Sequence, residues 1–77
     1  MLDKMQEFLA CGESDLEFHA QEILDLQETF EDGLITKEEY EELLRDIEVT
    51  VEVNARCNEV VMKANFLKAL NLIAKAL

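Results

Sequence analysis

Apolar residues recur at helical spacing along almost the whole chain and divide it into three segments. In the middle segment Leu16, Ala20 and Ile23 lie three or four residues apart, and Phe30 lies two turns further on. This spacing is the signature of an amphipathic helix. A shorter run of the same kind precedes it, and a much longer run follows, so we expect an all-α fold in one small domain. The predicted helices cover residues 1–12, 14–32 and 36–77.

Two short polar stretches separate these segments and carry helix stop and start signals. Gly12 and Gly33 are the only glycines and the chain has no proline, and glycine takes the left-handed conformation of a helix end at little cost. Ser14 and Thr36 follow as N-cap residues, and Glu39 completes a capping box with Thr36. These signals predict an antiparallel hairpin of the second and third helices. Its predicted facing residues are Leu43, Leu44 and Ile47 on one helix and Ile23, Leu26 and Phe30 on the other.

The third segment contains no helix breaker after Thr36. A continuous helix of about 40 residues would be roughly 60 Å long, more than twice the length of the second helix. The valine-rich stretch 49–53 leaves a kink open. A helix whose apolar surface is not covered within its own chain needs a partner. We therefore expect a homo-oligomeric helical bundle or coiled coil.

Asparagines on this long helix bear on the interface between copies. Asn54, Asn58 and Asn65 share one face with apolar residues, and buried asparagine fixes the register and the number of chains in helical assemblies. Alternatively this face is solvated beyond Val51, or the interface is a second stripe that ends at Leu67 and includes Val53, Cys57, Val60 and Ala64. The predicted interface residues are Leu44, Ile47, Val51, Asn54, Asn58, Val61, Phe66, Leu70, Ile73 and Leu77.

Charge is distributed very unevenly along the chain. Residues 13–52 hold fifteen acidic side chains against two basic ones, a net charge of −13, whereas residues 53–77 hold four basic against one acidic, a net charge of +3. The acidic part repels nucleic acid and anionic membranes. The basic, apolar tail has the composition of a membrane-surface helix, but a place in an oligomer core, with its lysines reaching to solvent, explains it better. No apolar stretch approaches the roughly 20 residues that span a bilayer.

The stretch EDGLITKEEYEELL looks at first like a calcium loop leading into a helix. If Gly33 takes the sixth position of an EF-hand loop, Glu39 takes the twelfth, as the motif requires. Phe30 then takes the third position, where an oxygen ligand is needed. The alignment therefore predicts a turn and no calcium site.

Other candidate chemistry is sparse. His19 has Asp15 and Glu22 at helical spacing, but one imidazole and two carboxylates on an exposed face make a poor metal site. Cys11 and Cys57 are too few for a disulfide framework and are expected to be reduced thiols of a cytoplasmic protein. No catalytic Ser/His/Asp order, phosphate loop or CxxC motif is present. We therefore expect no enzyme activity, no cofactor and no metal.

Residues 26–47, with the sequence LQETFEDGLITKEEYEELLRDI, resemble the short helical module called SHOCT. That family has an apolar helix, a turn of the form G-L/I-I-T-x-E-E-Y/F and a second apolar helix. The matching turn residues are Gly33, Leu34, Ile35, Thr36, Glu38, Glu39 and Tyr40. The resemblance implies oligomerisation or partner contact, and it brings no catalytic residue. SHOCT modules usually close a longer chain, whereas some 25 residues of predicted helix follow here.

These patterns predict a non-enzymatic, acidic helical protein that self-associates as a dimer or tetramer and also binds an unidentified protein. No direct contact with nucleic acid is expected, and membrane binding is disfavoured. One alternative is an assembly or scaffolding factor of phage type, whose C-terminal helix docks on a partner and which acts in the host cytoplasm. The other is a DNA mimic that blocks a nucleic-acid-binding protein. The carboxylates proposed for such mimicry are Glu38, Glu39, Glu41, Glu42, Asp46 and Glu48.

Overall fold

The computed structural model describes residues 2–76, with side-chain burial for residues 5–76. The described residues form four α-helices and no strand, which confirms the all-α prediction. Leu77, the last of the predicted interface residues, lies outside them. The helices are α1 (Leu2–Glu7), α2 (Ser14–Glu31), α3 (Lys37–Asn54) and α4 (Val60–Lys75). A 3₁₀ turn over Phe8–Ala10 extends α1.

The turn between α2 and α3 is built by local backbone hydrogen bonds. Gly33 has a φ of 75°, and its N–H donates to the carbonyl of Phe30 at 3.0 Å. The Leu34 N–H donates to the carbonyl of Thr29 at 3.2 Å. This pair of bonds is a Schellman motif, which satisfies the last carbonyls of α2 and requires a left-handed residue at its centre. The calcium-like stretch is therefore a helix end followed by a turn.

The start of α3 confirms the predicted capping box. The Glu39 N–H donates to Thr36 Oγ1 at 3.1 Å, and the Thr36 N–H donates to Glu39 Oε1 at 2.9 Å. Across the turn the ring of Phe30 packs on that of Tyr40, with the centroids 4.7 Å apart. The antiparallel α2–α3 hairpin thus forms as predicted.

The start of α2 differs from the prediction. Ser14 is the first helical residue, Glu13 takes the N-cap position, and no side-chain cap is present there. Glu17 still reaches back along the chain, and its Oε2 accepts a hydrogen bond from the N–H of Gly12 at 2.9 Å. This bond ties the turn at Gly12 to the first turn of α2.

The prediction of one continuous helix over residues 36–77 is wrong. α3 ends at Asn54 and α4 begins at Val60, with residues 55–59, here called the joint, between them. Ala55 has φ −68° and ψ 130°, and Glu59 has φ −97° and ψ 97°, which are extended conformations. The chain therefore turns back at the joint, just after the valine-rich stretch 49–53, which itself stays helical within α3.

Three polar contacts hold the joint in its bent form. Asp15 Oδ2 accepts a hydrogen bond from the N–H of Arg56 at 2.7 Å. Lys63 Nζ donates to the carbonyls of Glu52 and Ala55, at 3.1 and 3.2 Å, and so satisfies the last turn of α3. The β-branched residues just before the joint also weaken the helix there. The bend lets α4 pack against α1 and α3 of its own chain.

All four helices contribute to one apolar core. In it the rings of Phe8 and Phe66 meet edge to face, with the centroids 5.0 Å apart. The radius of gyration of 11.8 Å is close to the roughly 11.5 Å expected for a compact chain of this length. A single chain thus covers most of the apolar surface that had suggested an oligomer. The buried core residues are Met5, Leu16, Ala20, Ile23, Tyr40, Leu44, Ile47, Val51, Ala55, Phe66, Ala69, Leu70, Ile73 and Ala74.

Candidate functional site

An open groove runs between α2 and α3 on the outer side of the hairpin. It encloses about 410 Å³. Its α2 wall presents residues that recur every three or four positions from His19 to Thr29, and its α3 wall does the same from Leu43 to Thr50. His19 and Thr29 are ten positions apart on α2, which corresponds to a groove about 15 Å long. The lining residues are His19, Glu22, Asp25, Leu26, Thr29, Leu43, Asp46, Ile47 and Thr50.

The floor of the groove is aliphatic. Ile47 is buried and belongs to the core, Leu26 is half-buried and packs on the core, and Leu43 keeps 40% of its surface exposed. An exposed leucine that continues a packed apolar surface offers a place where another aliphatic side chain can be buried. The floor is therefore an apolar contact surface that the chain itself only partly covers.

The rim of the groove is acidic. Glu22 and Asp25 stand on the α2 wall and Asp46 on the α3 wall, and none of the described lining residues is lysine or arginine. His19 Nδ1 lies 3.0 Å from Glu22 Oε1. Asp25 Oδ1 accepts a hydrogen bond from Gln21 Nε2 at 2.9 Å. The rim thus presents three carboxylates to whatever lies in the groove.

The two threonines of the groove have hydroxyls that are already satisfied. Thr29 Oγ1 donates to the carbonyl of Asp25, and Thr50 Oγ1 donates to the carbonyl of Asp46, both at 2.9 Å. Each of these bonds lies within its own helix. Aliphatic side chains and carboxylates therefore dominate the chemistry that the groove offers to a ligand.

The predicted interface residues fall into two groups in the structure. Six of them lie in the core of the single chain, so an interface through them requires the helices to separate. Asn54, Asn58 and Val61 are exposed around the joint. Their role between copies stays a prediction. The six core residues are Leu44, Ile47, Val51, Phe66, Leu70 and Ile73.

His19 and the carboxylates near it do not come together as a metal site. Glu22 lies beside the imidazole, but the Asp15 carboxylate is turned to the joint, where it accepts the bond from Arg56. Among the residues that the structure describes, no group of three or more His, Cys, Asp or Glu side chains is placed to hold a metal ion. Within the same residues no helix is long and apolar enough to pass through a bilayer.

Tyr40 is a buried phenol beneath the turn. Its hydroxyl donates to Gln27 Oε1, and its ring packs on Phe30. Burial raises the pKa of the Tyr40 hydroxyl above its ordinary value of 10.0, and the nearby Glu31 carboxylate raises it further. The phenol is neutral at physiological pH and fixes the α2–α3 hairpin.

A second, smaller groove lies between the first helical segment and α4. It encloses about 310 Å³. Lys68 and Leu72 form its α4 wall, and Glu7 and Phe8 form the opposite wall. Opposite charges on the two walls compensate one another, so this groove has less charge to offer a partner than the α2–α3 groove has.

Comparison with known proteins gave no match that bears on these surfaces: no family model matches the chain, and neither a curated protein nor a solved structure is significantly similar to it.

Proposed function

We propose that this chain is a non-enzymatic binding protein that acts through protein–protein contacts, with the acidic α2–α3 groove as its binding surface. The observation that carries the proposal is the exposed Leu43 on an apolar floor, flanked by the carboxylates of Glu22, Asp25 and Asp46. The resemblance of residues 26–47 to SHOCT supports a role of the same class. The two free cysteines of the described chain support a reducing compartment, and we place the protein in the cytoplasm.

The shape and charge of the groove favour a cationic amphipathic helix as partner. A length of about 15 Å accommodates roughly three helical turns. In such grooves aliphatic side chains at positions i, i+3 or i+4, and i+7 anchor the bound helix. Lysine or arginine on both sides of that apolar stripe would then lie against the acidic rim.

The two parts of the groove contribute differently to binding. Burial of one aliphatic side chain contributes about 1.5–3 kcal/mol, whereas an exposed ion pair contributes only about 0.2–1 kcal/mol. We therefore assign most of the affinity to contacts with Leu43 and its neighbours. The carboxylates accelerate association and select for basic partners.

Fluorescence anisotropy with two labelled synthetic peptides tests this proposal. Both peptides have the same lysine and leucine composition, but only the first places its leucines on one helical face. We expect the first peptide to bind and the scrambled peptide to bind at least about tenfold more weakly, which corresponds to about 1.4 kcal/mol. At about 0.5 M salt the difference between the peptides persists while both affinities fall, because salt screens the rim but not the apolar floor.

Matched variants locate the binding surface. Leu43→Ser and Asp46→Lys alter the groove, whereas Leu34→Ser and Glu38→Lys make the same chemical changes at exposed positions outside it. We expect only the groove variants to weaken the first peptide. Equal losses for groove and control variants would refute the groove as the site. Equal binding of the two peptides would refute the cationic amphipathic helix.

A further inference from the structure

The joint between α3 and α4 is composed of residues that can also form a helix. Residues 55–59 contain neither glycine nor proline. Ala55 has a φ of −68°, which is already the helical value, so rotation of its ψ would extend α3 through this residue. Glu59, at φ −97° and ψ 97°, must also rotate before α3 joins α4. Alanine and arginine, the first two joint residues, are among the best helix formers. A straight helix from α3 into α4 is therefore free of local backbone strain.

Few contacts oppose this straightening. The bond from the Arg56 N–H to Asp15 is exposed, and so is the bond from Lys63 to the Glu52 carbonyl. The bond from Lys63 to the Ala55 carbonyl is partly buried. A straight helix exchanges these bonds for the internal backbone bonds of a continuous helix. The polar contacts that favour the bend are thus few, and most of them are exposed to solvent.

Three exposed valines beside the joint would come together on one face of a straight helix. Val49, Val53 and Val60 are 59%, 72% and 79% exposed in the bent chain. Counted along one continuous helix they lie four and seven residues apart, which places all three within about 40° of one another. Straightening would convert three scattered exposed valines into one apolar stripe, and such a stripe favours association.

If α3 and α4 form one straight helix, the apolar face of α4 loses its contacts within its own chain and must be buried by another molecule. α4 supplies five of the core residues, among them Phe66 and Leu70. A helix from residue 37 to residue 75 is about 58 Å long, whereas the longest dimension of the bent chain is 36 Å. The apolar face of α4 would therefore project beyond its own α1, α2 and α3. In a second copy that is straightened in the same way, the surface that its own α4 covered is exposed. That surface consists of the same residues on which α4 packs in the bent chain.

α4 meets the same charges on a second copy as on its own chain. α4 carries three lysines and no acidic residue, a net charge of +3. α2 and α3 together carry thirteen acidic against two basic residues, a net charge of −11. The acidic helices of a second copy attract α4 as strongly as those of its own chain do. Each copy carries a net charge of −11, so the two copies as wholes repel one another, and salt favours the exchanged dimer by screening that repulsion.

From these observations we infer that two copies of the chain associate by exchanging α4. In the exchanged dimer each α4 packs on α1 and α3 of the other copy, and α3 and α4 form one continuous helix in each chain. The two long helices cross at their joints, where the stripes of Val49, Val53 and Val60 face each other across the two-fold axis. Cys57 lies beside that stripe, close to the axis.

Substitution of Val60 tests the exchange. Val60 is the first residue of α4, a position where proline is favourable, whereas proline inside a continuous helix breaks it. Val60→Ala removes the same side chain and permits both forms. Each protein is concentrated, held near the midpoint temperature of its unfolding so that chains can exchange helices, and then cooled. Its mass is measured by light scattering over about a hundredfold range of concentration.

We expect the wild type and Val60→Ala to form a dimer whose fraction rises with concentration. We expect the dimerisation constant of Val60→Pro to be at least about a hundredfold lower than that of Val60→Ala. Circular dichroism checks that Val60→Pro is folded. A wild type that stays monomeric at every concentration would overturn the proposal, and so would dimerisation of Val60→Pro to the extent of Val60→Ala.

Cross-linking gives an independent readout that does not depend on a proline variant. In Cys11→Ser the remaining thiol is Cys57, and in Cys57→Ser it is Cys11. A short bismaleimide should link two copies of Cys11→Ser, because two Cys57 side chains meet near the axis, and should link Cys57→Ser at least about tenfold less. Equal linking of the two variants, or none in either, contradicts the exchanged arrangement.

Discussion

Lys63, which belongs to α4, caps the end of α3. Its substitution measures how much this cap contributes to the free energy of unfolding. In Lys63→Met the side chain keeps its length and loses its ammonium group, so the carbonyls of Glu52 and Ala55 lose the donor that lies 3.1 and 3.2 Å from them. Hydrogen bonds to charged groups contribute about 1.5–3 kcal/mol each. Lys63 is only half-buried, and water can replace part of both bonds.

We therefore expect a loss of about 1.5 kcal/mol for the two bonds together, the lower end of that range for one bond. For a domain of this size the loss corresponds to a fall in Tm of roughly 6–12 °C. The measurement is thermal and urea unfolding followed by far-UV circular dichroism. At the low concentration used, the monomer is the species observed.

Lys68→Met is the matched control. Lys68 lies on the same helix and is exposed, so the substitution changes the net charge by the same amount without removing a cap. Its effect should stay within about 0.5 kcal/mol, as for other surface substitutions. Equal effects of the two substitutions would refute the capping role, because they would show that only net charge had changed.

Three further predictions concern the core, the turn and the buried phenol. Phe66→Ala should lower the free energy of unfolding by about 3–5 kcal/mol, and the exposed Phe18→Ala by no more than about 0.5 kcal/mol; urea titration compares them, and similar losses would contradict the assigned core. Thr36→Ala should lower it by about 1 kcal/mol through loss of the capping box, seen as a lower urea midpoint, and an unchanged midpoint would speak against the cap. Tyr40 is the only tyrosine, so phenolate absorbance should show its pKa above 10.0 in the folded chain and near 10 in urea. Since the folded pKa is the higher one, stability from this group is complete below pH of about 10 and is lost as pH rises through the folded pKa; equal values in both states would contradict its burial.

The hairpin was predictable because its signals are local. Gly33, Thr36 and Glu39 lie within seven residues, and each forms its contacts with near neighbours in sequence. The apolar spacing of α2 also identified Leu16 and Ile23 as core residues, since a helix period leaves little choice of buried face. The helical character of these segments and the turn between them thus follow from interactions between residues that are close in sequence.

The joint was not predictable from local sequence. It contains no breaker, and the residues that hold it are distant: Asp15 lies 41 positions from Arg56, and Lys63 belongs to the following helix. The apolar residues of α4 could be buried either by another copy or by α1 and α3 of the same chain. Periodicity is the same in both cases, and packing in three dimensions decides between them.

The groove was predictable only in part. The sequence placed Leu43 and Leu44 together against α2, whereas the structure buries Leu44 in the core and leaves Leu43 40% exposed on the groove floor. The rotation of α3 about its axis decides which of two successive leucines is buried, and that rotation is set by Tyr40 and Val51 packing inward. The acidic rim could be expected from composition, but its position beside an apolar floor could not.

The edge-to-face contact of Phe8 with Phe66 spans 58 positions of the chain, and this has a consequence for synthesis on the ribosome. At about 5–20 residues per second, roughly 3–12 s separate the translation of these two residues. During that interval the hairpin can form from its local contacts, while the apolar residues that later receive α4 remain exposed to solvent. The dense negative charge of residues 13–52 then keeps nascent chains apart by mutual repulsion. The acidity of the chain would thereby protect it from aggregation before its last helix is made.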